Sequence, residues 1–404
     1  MGYNPGDISV DTVLVTSPLS GSWDARGSIL TASILETIFT PGVTAEIKVI
    51  DTDDWLGQLQ LQGTETVYFQ ITKLTDGSPL YYDFHLNSVR QVEIQGSAKA
   101  KTYMLSCISR EVISGRIINV QQAYNQPINS IVQDVFSKLN SQNGIATEVT
   151  KGNRNIKISN QTVYDAIEML RKEAVSAAFQ SSNFMFWQTW SSFHFETLEG
   201  MLNAGDVKNF KQDFTIGTSI NKSVDDNILA WKVVQNFDAM NRAKAGVVNQ
   251  RVAVFDPNTL SYKVSNFNDI NPIAAMGNWS YDLFRGLFGG ENAGRTVLSY
   301  RNPNQKLNIP QSFVPAAIPY KQLNLAQMQE QMMHMTAIGD PVLEAGTTIF
   351  CDVPKITSAT DSYGEKEDQM YGRWLISKVE HEIHTAADLP RYVCNLECLK
   401  GAYA

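Results

Sequence analysis

The sequence predicts a mainly β protein with α+β insertions. Long segments alternate apolar and polar residues, one central region has apolar residues every three or four positions, and alternation returns near the C-terminus. The chain has 404 residues, 43% of them hydrophobic. Such a chain can bury a large core, and its length favours two to four domains.

Residues 1–110 are predicted to form an antiparallel β-barrel or sandwich. The segments TAEIKVID, TETVYFQITKL, LYYDFHLNSVR and KTYMLSCIS alternate and are separated by clusters of Gly, Pro, Asp and Ser. In LYYDFHLNSVR, alternation puts Tyr82, Phe84 and Leu86 on one face and His85 on the other. We therefore expect the first three to be buried and His85 to point outward.

Residues 111–211 are predicted to form a small α+β domain. NQPINSIVQDVFSKLNSQNG has helical spacing after Pro127, and a second helix is predicted over about 161–177 with Asn160 as its cap. The aromatic segment FMFWQTWSSFHFETLEGM then predicts a packed hairpin. It has no Lys or Arg to form the basic groove that a base-stacking platform needs.

Residues 212–238 and 335–404 are predicted to form a second β domain. The intervening residues 239–334 have no single periodicity, so we interpret them as an insertion of strands and loops with a docking role. Within it, RGLFGGENAG lacks the GK[ST] ending of a phosphate loop. The segment LNLAQMQEQMMHMTAIG predicts a short helix or strand entry whose methionines pack rather than bind metal.

The last hairpin contains two histidines and two cysteines that could be taken for a metal site. Side chains in a strand alternate between faces, so His381 and His384, three positions apart, are expected to face opposite ways. Cys394 and Cys398 share a face but lie about 13 Å apart along a strand, too far to bind one zinc ion. We therefore expect no metal here.

The same alternation predicts the register of this hairpin. With TAADLP as the loop, His381 falls opposite Cys394, and Lys378 falls opposite Glu397 as a charge pair across the strands. Besides His381 and the two cysteines, the buried face is predicted to hold Leu375, Val379, Ile383, Tyr392 and Leu396.

No catalytic, cofactor-binding or metal-binding residues are expected. The sequence has no GxSxG elbow, Walker loop, HExxH or kinase-type motif set, and its acidic groups VIDTDDWLG and SVDDN are typical of turns. The net charge of −8 disfavours sequence-reading nucleic-acid binding. Four dispersed cysteines predict free thiols, and neither a signal peptide nor a membrane span is expected.

The order of segments resembles the baseplate hub proteins of contractile-tailed phages and the related hub part of type VI secretion spikes. The resemblance rests on the helix P-I-x-x-I-V-x-D-V-F, the hairpin FMFW…FHFETLEGM, the segment DPVLEAGTTIFCDVP, and GRWLISKVEHEIH with YVCNLECLKG. It implies two tail-tube-like antiparallel β-barrels in one chain plus a small α+β domain. The barrels would be residues 1–110 and residues 212–238 with 335–404.

The resemblance also implies a structural hub without enzymatic activity or cofactor. A homotrimer would present six barrels as a pseudo-sixfold ring that joins the hexameric tail tube to the trimeric central spike and lets DNA pass. The implied partners are the central spike protein, the tail tube or tube-initiator protein and baseplate wedge proteins, with DNA only in transit and no membrane insertion. The implied location is the virion tail baseplate, after synthesis in the host cytoplasm.

Acidic residues at two places are candidates for the lumen or the interfaces of such a ring. They are Asp51, Asp53 and Asp54 in the first β domain, and Glu380 and Glu382 in the outward row of the last hairpin. Net acidity would let DNA pass without adhering, because phosphate and carboxylate groups repel each other.

Three alternatives stay open. The hub of a tailocin or another contractile injection system would have the same design. A tail-associated cell-wall hydrolase would use Asp and Glu of the insertion, since such enzymes need two carboxylates across a cleft. A carbohydrate-binding adhesin would use Trp187, Trp190 and Trp279 as sugar platforms.

Overall fold

A computed structural model describes twelve stretches of the chain, and the structural statements below concern these. They are residues 3–95, 100–179, 181–212, 225–245, 250–256, 260–267, 295–300, 321, 324–355, 366, 370–385 and 390–400. Strands predominate, so the prediction of a mainly β protein is confirmed.

The strands and helices are numbered in chain order. The strands are β1 (Ile8–Ser17), β2 (Gly21–Asp24), β3 (Ile29–Thr37), β4 (Thr44–Asp51), β5 (Thr66–Lys73), β6 (Pro79–Gln95), β7 (Ala100–Ser109), β8 (Asn119–Gln126), β9 (Ile145–Thr147), β10 (Arg154–Thr162), β11 (Phe184–Gln188), β12 (Phe193–Thr197), β13 (Asp206–Lys211), β14 (Ile228–Gln235), β15 (Gln250–Asp256), β16 (Ser261–Phe267), β17 (Arg295–Tyr300), β18 (Gln331–Ile338), β19 (Thr348–Asp352), β20 (Gly372–His384) and β21 (Arg391–Lys400). The helices are α1 (Trp55–Gln58), α2 (Arg110–Ile117), α3 (Ile128–Ser137), α4 (Val163–Glu173), α5 (Leu198–Asn203) and α6 (Ala239–Ala245).

In the described part of the chain, one large sheet contains 13 strands. Its main path is β14-β18-β21-β20-β3-β4-β7-β6-β5-β1-β2, and β19 pairs with both β20 and β13. We term β1–β7 the first unit, and β13, β14 and β18–β21 the second unit. The units meet where β3 pairs antiparallel with β20.

The two units repeat the same strand order. β3-β4-β7-β6-β5 in the first unit corresponds to β14-β18-β21-β20-β19 in the second, both in space and along the chain. Two irregularities also correspond, whereas the shifts after Arg90 in β6–β7 and after Val233 in β14–β18 have no counterpart in the other unit. The register shifts after Leu86 in the β6–β7 ladder and after Ile376 in the β20–β21 ladder, and likewise after Ile29 in β3–β4 and after Ile228 in β14–β18. Because bulges arise at defined positions of a ladder, the match indicates two copies of one design.

Burial in the first unit follows the predicted alternation. Tyr82, Phe84 and Leu86 are buried on one face of β6, whereas Tyr81 on the other face is exposed and His85 is half-buried. The prediction for this strand is confirmed. Its inward side chains belong to an apolar core that also includes residues of the second unit, so packing as well as backbone pairing joins the units.

Residues 119–197 form helices and short strands around a separate apolar core. α3 starts directly after Pro127, as predicted, and buries its apolar stripe. α4 starts at Val163, and its cap is Thr162 rather than the predicted Asn160, because the Thr162 hydroxyl accepts the Asp165 backbone N–H at 3.2 Å. Asn160 instead has a φ of 49°, in the left-handed region that Asn tolerates. The aromatic hairpin is confirmed as β11 and β12, with four phenylalanines in the core: Phe184, Phe186, Phe193 and Phe195.

The predicted register of the last hairpin is confirmed. His381 pairs with Cys394, and Lys378 pairs with Glu397. The prediction was wrong for Leu375, which packs with Trp187 in a second apolar cluster rather than beside Val379. The cause is the bulge between Ile376 and Lys378, since one extra residue reverses the facing of every side chain before it.

The structure describes several parts of the predicted insertion, residues 239–334. β15 pairs with β16 and β17 in a small sheet, and residues 324–328 form a helical turn before β18. The segment RGLFGGENAG and Trp279 lie outside the described residues.

The domain limits stay predictions; β13, inside the predicted 111–211 domain, pairs with β19 of the second unit. Among the described residues, no helix has the length and apolar character to cross a membrane.

Candidate interface at the seam between the two units

The seam is the ladder in which residues 31–37 of β3 pair with residues 378–384 of β20. Leu35 lies opposite Glu380, and Ile34 lies opposite His381. Successive residues alternate between two faces, so the seam has one face toward solvent and one toward the core. Backbone hydrogen bonds run continuously from one unit into the other.

Glu380 and Glu382 lie on the solvent face of the seam, as predicted for the outward row. Glu380 Oε1 accepts a hydrogen bond from the Ser33 hydroxyl of the first unit at 2.6 Å. The side-chain amide of Asn395 donates to Glu382 Oε2 at 3.0 Å, and His384 Nε2 lies 3.0 Å from Glu382 Oε1. These carboxylates therefore connect three neighbouring strands: β3, β20 and β21.

The solvent face of the large sheet carries charges of both signs. Lys378 Nζ lies 2.7 Å from Glu397 Oε2, and Arg90 Nη1 lies 3.8 Å from Glu46 Oε1. Lys232 is exposed on β14, opposite His334 of β18. The face is therefore polar and mixed rather than uniformly acidic.

Asp51, one of the candidates for the lumen or an interface, does not face solvent in the single chain. It is only 2% exposed, and its carboxylate accepts backbone N–H groups of Asp53, Trp55 and Leu56, each at 3.1 Å. The Tyr103 hydroxyl also donates to it at 3.1 Å. A carboxylate is favoured beside the unpaired N–H groups at a helix start, so Asp51 holds the turn that precedes α1.

Asp53 and Asp54 are exposed on that turn. Lys101 Nζ lies 2.5 Å from Asp54 Oδ1, and this hydrogen bond with its charge lowers the pKa of Asp54. The acidic turn is thus placed beside the far end of the β6–β7 hairpin, away from Glu380 and Glu382 on the seam. None of the bonds described above joins the acidic turn to Glu380 or Glu382.

The core face of the seam contains a buried carboxylic acid, Glu36. Its Oε1 accepts the Tyr82 hydroxyl at 2.8 Å and the Trp190 backbone N–H at 2.7 Å. Burial, together with the charge of nearby Glu344, raises the pKa of Glu36 to about 8. Glu36 is therefore mostly protonated at neutral pH, and it ties the aromatic hairpin to the seam. The sequence signal was a single Glu inside the apolar run ILTASILETIF.

His381 lies next to Glu36 and is also fully buried. Its Nε2 is 3.9 Å from Glu36 Oε1, and its Nδ1 is 2.6 Å from the Tyr392 hydroxyl and 3.5 Å from Cys394 Sγ. Burial lowers the pKa of His381 to about 3, so the imidazole is neutral.

The two histidines of the hairpin point to opposite faces, as predicted, because His384 is exposed on the solvent side. Cys394 is paired with His381, whereas Cys398 lies opposite Ile376 across the bulge. Among the described residues, no group of three or more His, Cys, Asp or Glu side chains is arranged to hold a metal ion.

A buried lysine, Lys73, links the units away from the seam. The Lys73 side chain at the end of β5 is 1% exposed, and its Nζ lies 3.0 Å from Asp225 Oδ2 and 3.8 Å from Asp340 Oδ2. Lys208 of β13 binds the same Asp340 carboxylate at 2.6 Å. The doublet SVDDN, interpreted as turn chemistry, thus also supplies a partner for a buried lysine.

The described tryptophans of the adhesin alternative are not open platforms. Trp187 is 1% exposed and donates its indole N–H to the Ala345 carbonyl at 2.8 Å. Trp190 donates to the Pro341 carbonyl at 2.8 Å and packs edge-on against Tyr81. Both rings hold the aromatic hairpin against the two units.

Comparison with known proteins gives matches in structure only. No protein-family model and no curated protein sequence matches the chain. A tail protein from Neisseria meningitidis MC58 superposes with a TM-score of 0.56 at 11% identity, over 96% of both chains. The 43 kDa tail protein of prophage MuSo2 from Shewanella oneidensis gives 0.54 at 9% identity, over 96% of this chain and 98% of that one. A component of the E. coli type VI secretion system gives a weaker 0.46 at 10% identity, over 93% of this chain and 76% of that one.

The two tail proteins and this chain therefore share a fold over nearly their whole lengths. This bears out the suspected likeness to tail proteins at the level of fold. Identities this low carry no functional residues from one chain to another, so function has to be argued from the seam and its surroundings.

Proposed function

We propose that this chain is a structural hub of a phage tail baseplate and not an enzyme. The observation that carries the proposal is the seam: one chain contains two equivalent β units whose sheets are continuous through β3 and β20. The fold of two tail proteins supports the same reading. A chain with two side-by-side units is suited to fill two positions of a ring.

Three copies would supply six units. A ring of this kind has threefold symmetry in its chains and approximate sixfold symmetry in its units, so it can join a hexameric tail tube to a trimeric central spike. The spike protein, the tube or tube-initiator protein and the wedge proteins are the proposed partners. The proposed location is the tail baseplate of the virion.

DNA would pass through the ring without strong binding. We assign Glu380 and Glu382 to the lumen, and Asp53 and Asp54 to the lumen or an interface, with Asp51 supporting their turn. On the seam the nearby cation Lys378 is already paired with Glu397. Paired cations offer little to phosphates, because binding to DNA gains most from unpaired Lys and Arg.

Native mass measurement tests the proposal, with and without the central spike protein of the same tail. We expect a trimer, alone or on addition of the spike, and no hydrolysis of cell-wall polysaccharide. A stable monomer that hydrolyses the polysaccharide and never binds the spike would overturn the proposal. A trimer that binds the spike of a tailocin or secretion machine instead would move it to that class of injection system.

A further inference from the structure

Several strand edges of the large sheet have no strand beside them among the described residues, including those of β2 and β13, and two of them match the strands of the seam. One is the outer edge of β14, at one end of the sheet path. The other belongs to the far part of β6. On one side β6 pairs with β5 only from Pro79 to His85, while on its other side the pairing with β7 reaches Gln95. Residues 87–95 of β6 are therefore open on the β5 side. An open edge is a template for another strand.

By the correspondence between the two units, each of these open edges is equivalent to one strand of the seam. β14 corresponds to β3, and the far part of β6 corresponds to residues 378–384 of β20. β20 also pairs with β19 first, from Gly372 to Leu375, and then with β3 on the same side. In the first unit, β5 occupies the place of β19, and the place of β3 is open.

We propose that β14 of one copy pairs antiparallel with residues 88–94 of β6 in a second copy, which repeats the seam between two chains. The inference rests on the ring assembly of the proposed function and specifies its interface. The two edges differ, so the contact is head-to-tail rather than a twofold dimer, and three such contacts close the ring of the proposed function.

The ladders also give the register. Ser33 pairs with Glu46 in β4, and Lys232 pairs with His334 in β18, which makes Lys232 the counterpart of Ser33. Glu93 pairs with Thr102 in β7, and Glu382 pairs with Val393 in β21. Since Thr102 and Val393 hold equivalent places in their ladders, Glu93 is the counterpart of Glu382.

Ser33 and Glu382 are directly opposite each other at the seam. Lys232 of one copy therefore lies opposite Glu93 of the next.

The side chains at the two edges are complementary. Lys232 and Glu93 are both exposed and carry opposite charges, and cross-strand pairs of opposite charge are favourable. Three apolar side chains flank them and are exposed in the single chain: Val92 at 49%, Ile94 at 76% and Val234 at 47%. Pairing of the edges would remove apolar surface from water at a place where the isolated chain leaves it uncovered.

Cysteine cross-linking between two different variants tests this register. Opposed residues of an antiparallel pair have Cα atoms about 4.5 to 5.5 Å apart, within the range of about 4.4 to 6.8 Å that a disulfide spans. Purified K232C and E93C proteins are mixed and oxidised, and we expect a covalent heterodimer that neither variant gives with wild type. Y68C replaces E93C as the matched control, since Tyr68 is exposed on β5, a strand paired on both sides. No cross-link is expected with it.

Charge reversal gives a second readout without a covalent bond. We expect K232E or E93K alone to raise the Kd of self-association roughly two- to five-fold, and the double variant to restore it. Both positions are exposed, so unchanged thermal unfolding will show that the variants fold.

The outcomes separate this inference from the proposed function. A spike-binding trimer without the K232C–E93C cross-link overturns the inference and leaves the hub intact. A cross-linked ring that never binds a spike supports the inference and overturns the hub. Chains that neither associate nor cross-link at any concentration overturn the inference as well.

Discussion

Glu36 Oε1 and His381 Nε2 lie 3.9 Å apart in the core of the seam, one from each unit, and both side chains are fully buried. Both are mostly neutral at pH 7, because burial raises the pKa of the acid to about 8 and lowers that of the imidazole to about 3. The junction of the units is thus built from titratable groups held in their uncharged forms.

This pair predicts opposite pH dependences. The ordinary pKa of Glu is 4.5, so between pH 4.5 and 8 the folded chain keeps a proton that the unfolded chain releases, and the free energy of unfolding falls as pH rises. The ordinary pKa of His is 6.5, so between pH 3 and 6.5 the unfolded chain binds a proton that the folded chain excludes, and the free energy of unfolding rises.

Only Glu36 of the pair titrates between pH 6.5 and 8. In that window we expect the free energy of unfolding to fall by up to about 1.4 kcal/mol per pH unit, and Glu36→Gln to flatten the slope. Denaturant unfolding at several pH values measures this. His381→Asn is the control that should alter only the slope below pH 6.5; an unchanged slope above it in Glu36→Gln would contradict the assignment.

We expect removal of the Lys73 charge to lower the free energy of unfolding substantially. Lys73→Met would remove the buried partner of Asp225 and leave Asp340 with Lys208 alone, and loss of one member of a buried ion pair costs about 3 kcal/mol. Lys101→Met removes a more exposed pair with Asp54 and should cost far less, because water screens exposed ion pairs. Equal losses in urea unfolding would show that the Lys73 cluster is not a tight link.

We expect position 346, which lies against Trp187 of the aromatic hairpin, to require glycine. Its φ is 93°, and a Cβ there would lie 2.5 Å from Cζ2 of Trp187. Gly21 has a φ of 104° with no atom within 4 Å of such a Cβ, so Gly21→Ala reports backbone strain alone, about 1 to 2 kcal/mol. We expect Gly346→Ala to cost about 1 to 3 kcal/mol more because of overpacking. Thermal unfolding of the two variants compares them, and similar values would contradict the contact.

The four cysteines are predicted to be inert until the chain unfolds. All are buried free thiols, and burial raises the pKa of Cys107, Cys351 and Cys394 to about 12. At pH 8 about one thiol in 10⁴ is then the reactive thiolate. A chromogenic disulfide should report almost no reaction in the native protein and four thiols in denaturant; rapid native reaction or fewer than four thiols would contradict the burial.

The hairpin shows what could be predicted from the sequence. Strict alternation placed His381 opposite Cys394, because side-chain direction in a regular strand depends only on parity. Leu375 was misplaced because the bulge after Ile376 has no sequence signature of its own. The burial of Asp51 could not be predicted, since in the sequence a carboxylate that caps N–H groups looks like any other acidic turn residue.

Two like β units were implied by the resemblance, but the match of individual positions between them was outside the reach of the sequence for the same reason. Equivalent ladder positions hold unlike residues, such as Glu46 in β4 and His334 in β18. The equivalence depends on strand order and bulge positions, which are properties of pairing. The order of segments supported the fold, but only the ladders give the residue-to-residue match on which the proposed contact between chains depends.

The seam has a consequence for how assembly responds to dilution. β3 and β20 belong to one polypeptide, so each meets the other at a fixed effective concentration set by the chain between them. The proposed β14–β6 pairing joins separate molecules and obeys mass action. Of the six contacts in a ring of three chains, half would survive any dilution and half would open, so the single chain is the smallest piece to which such a ring can come apart.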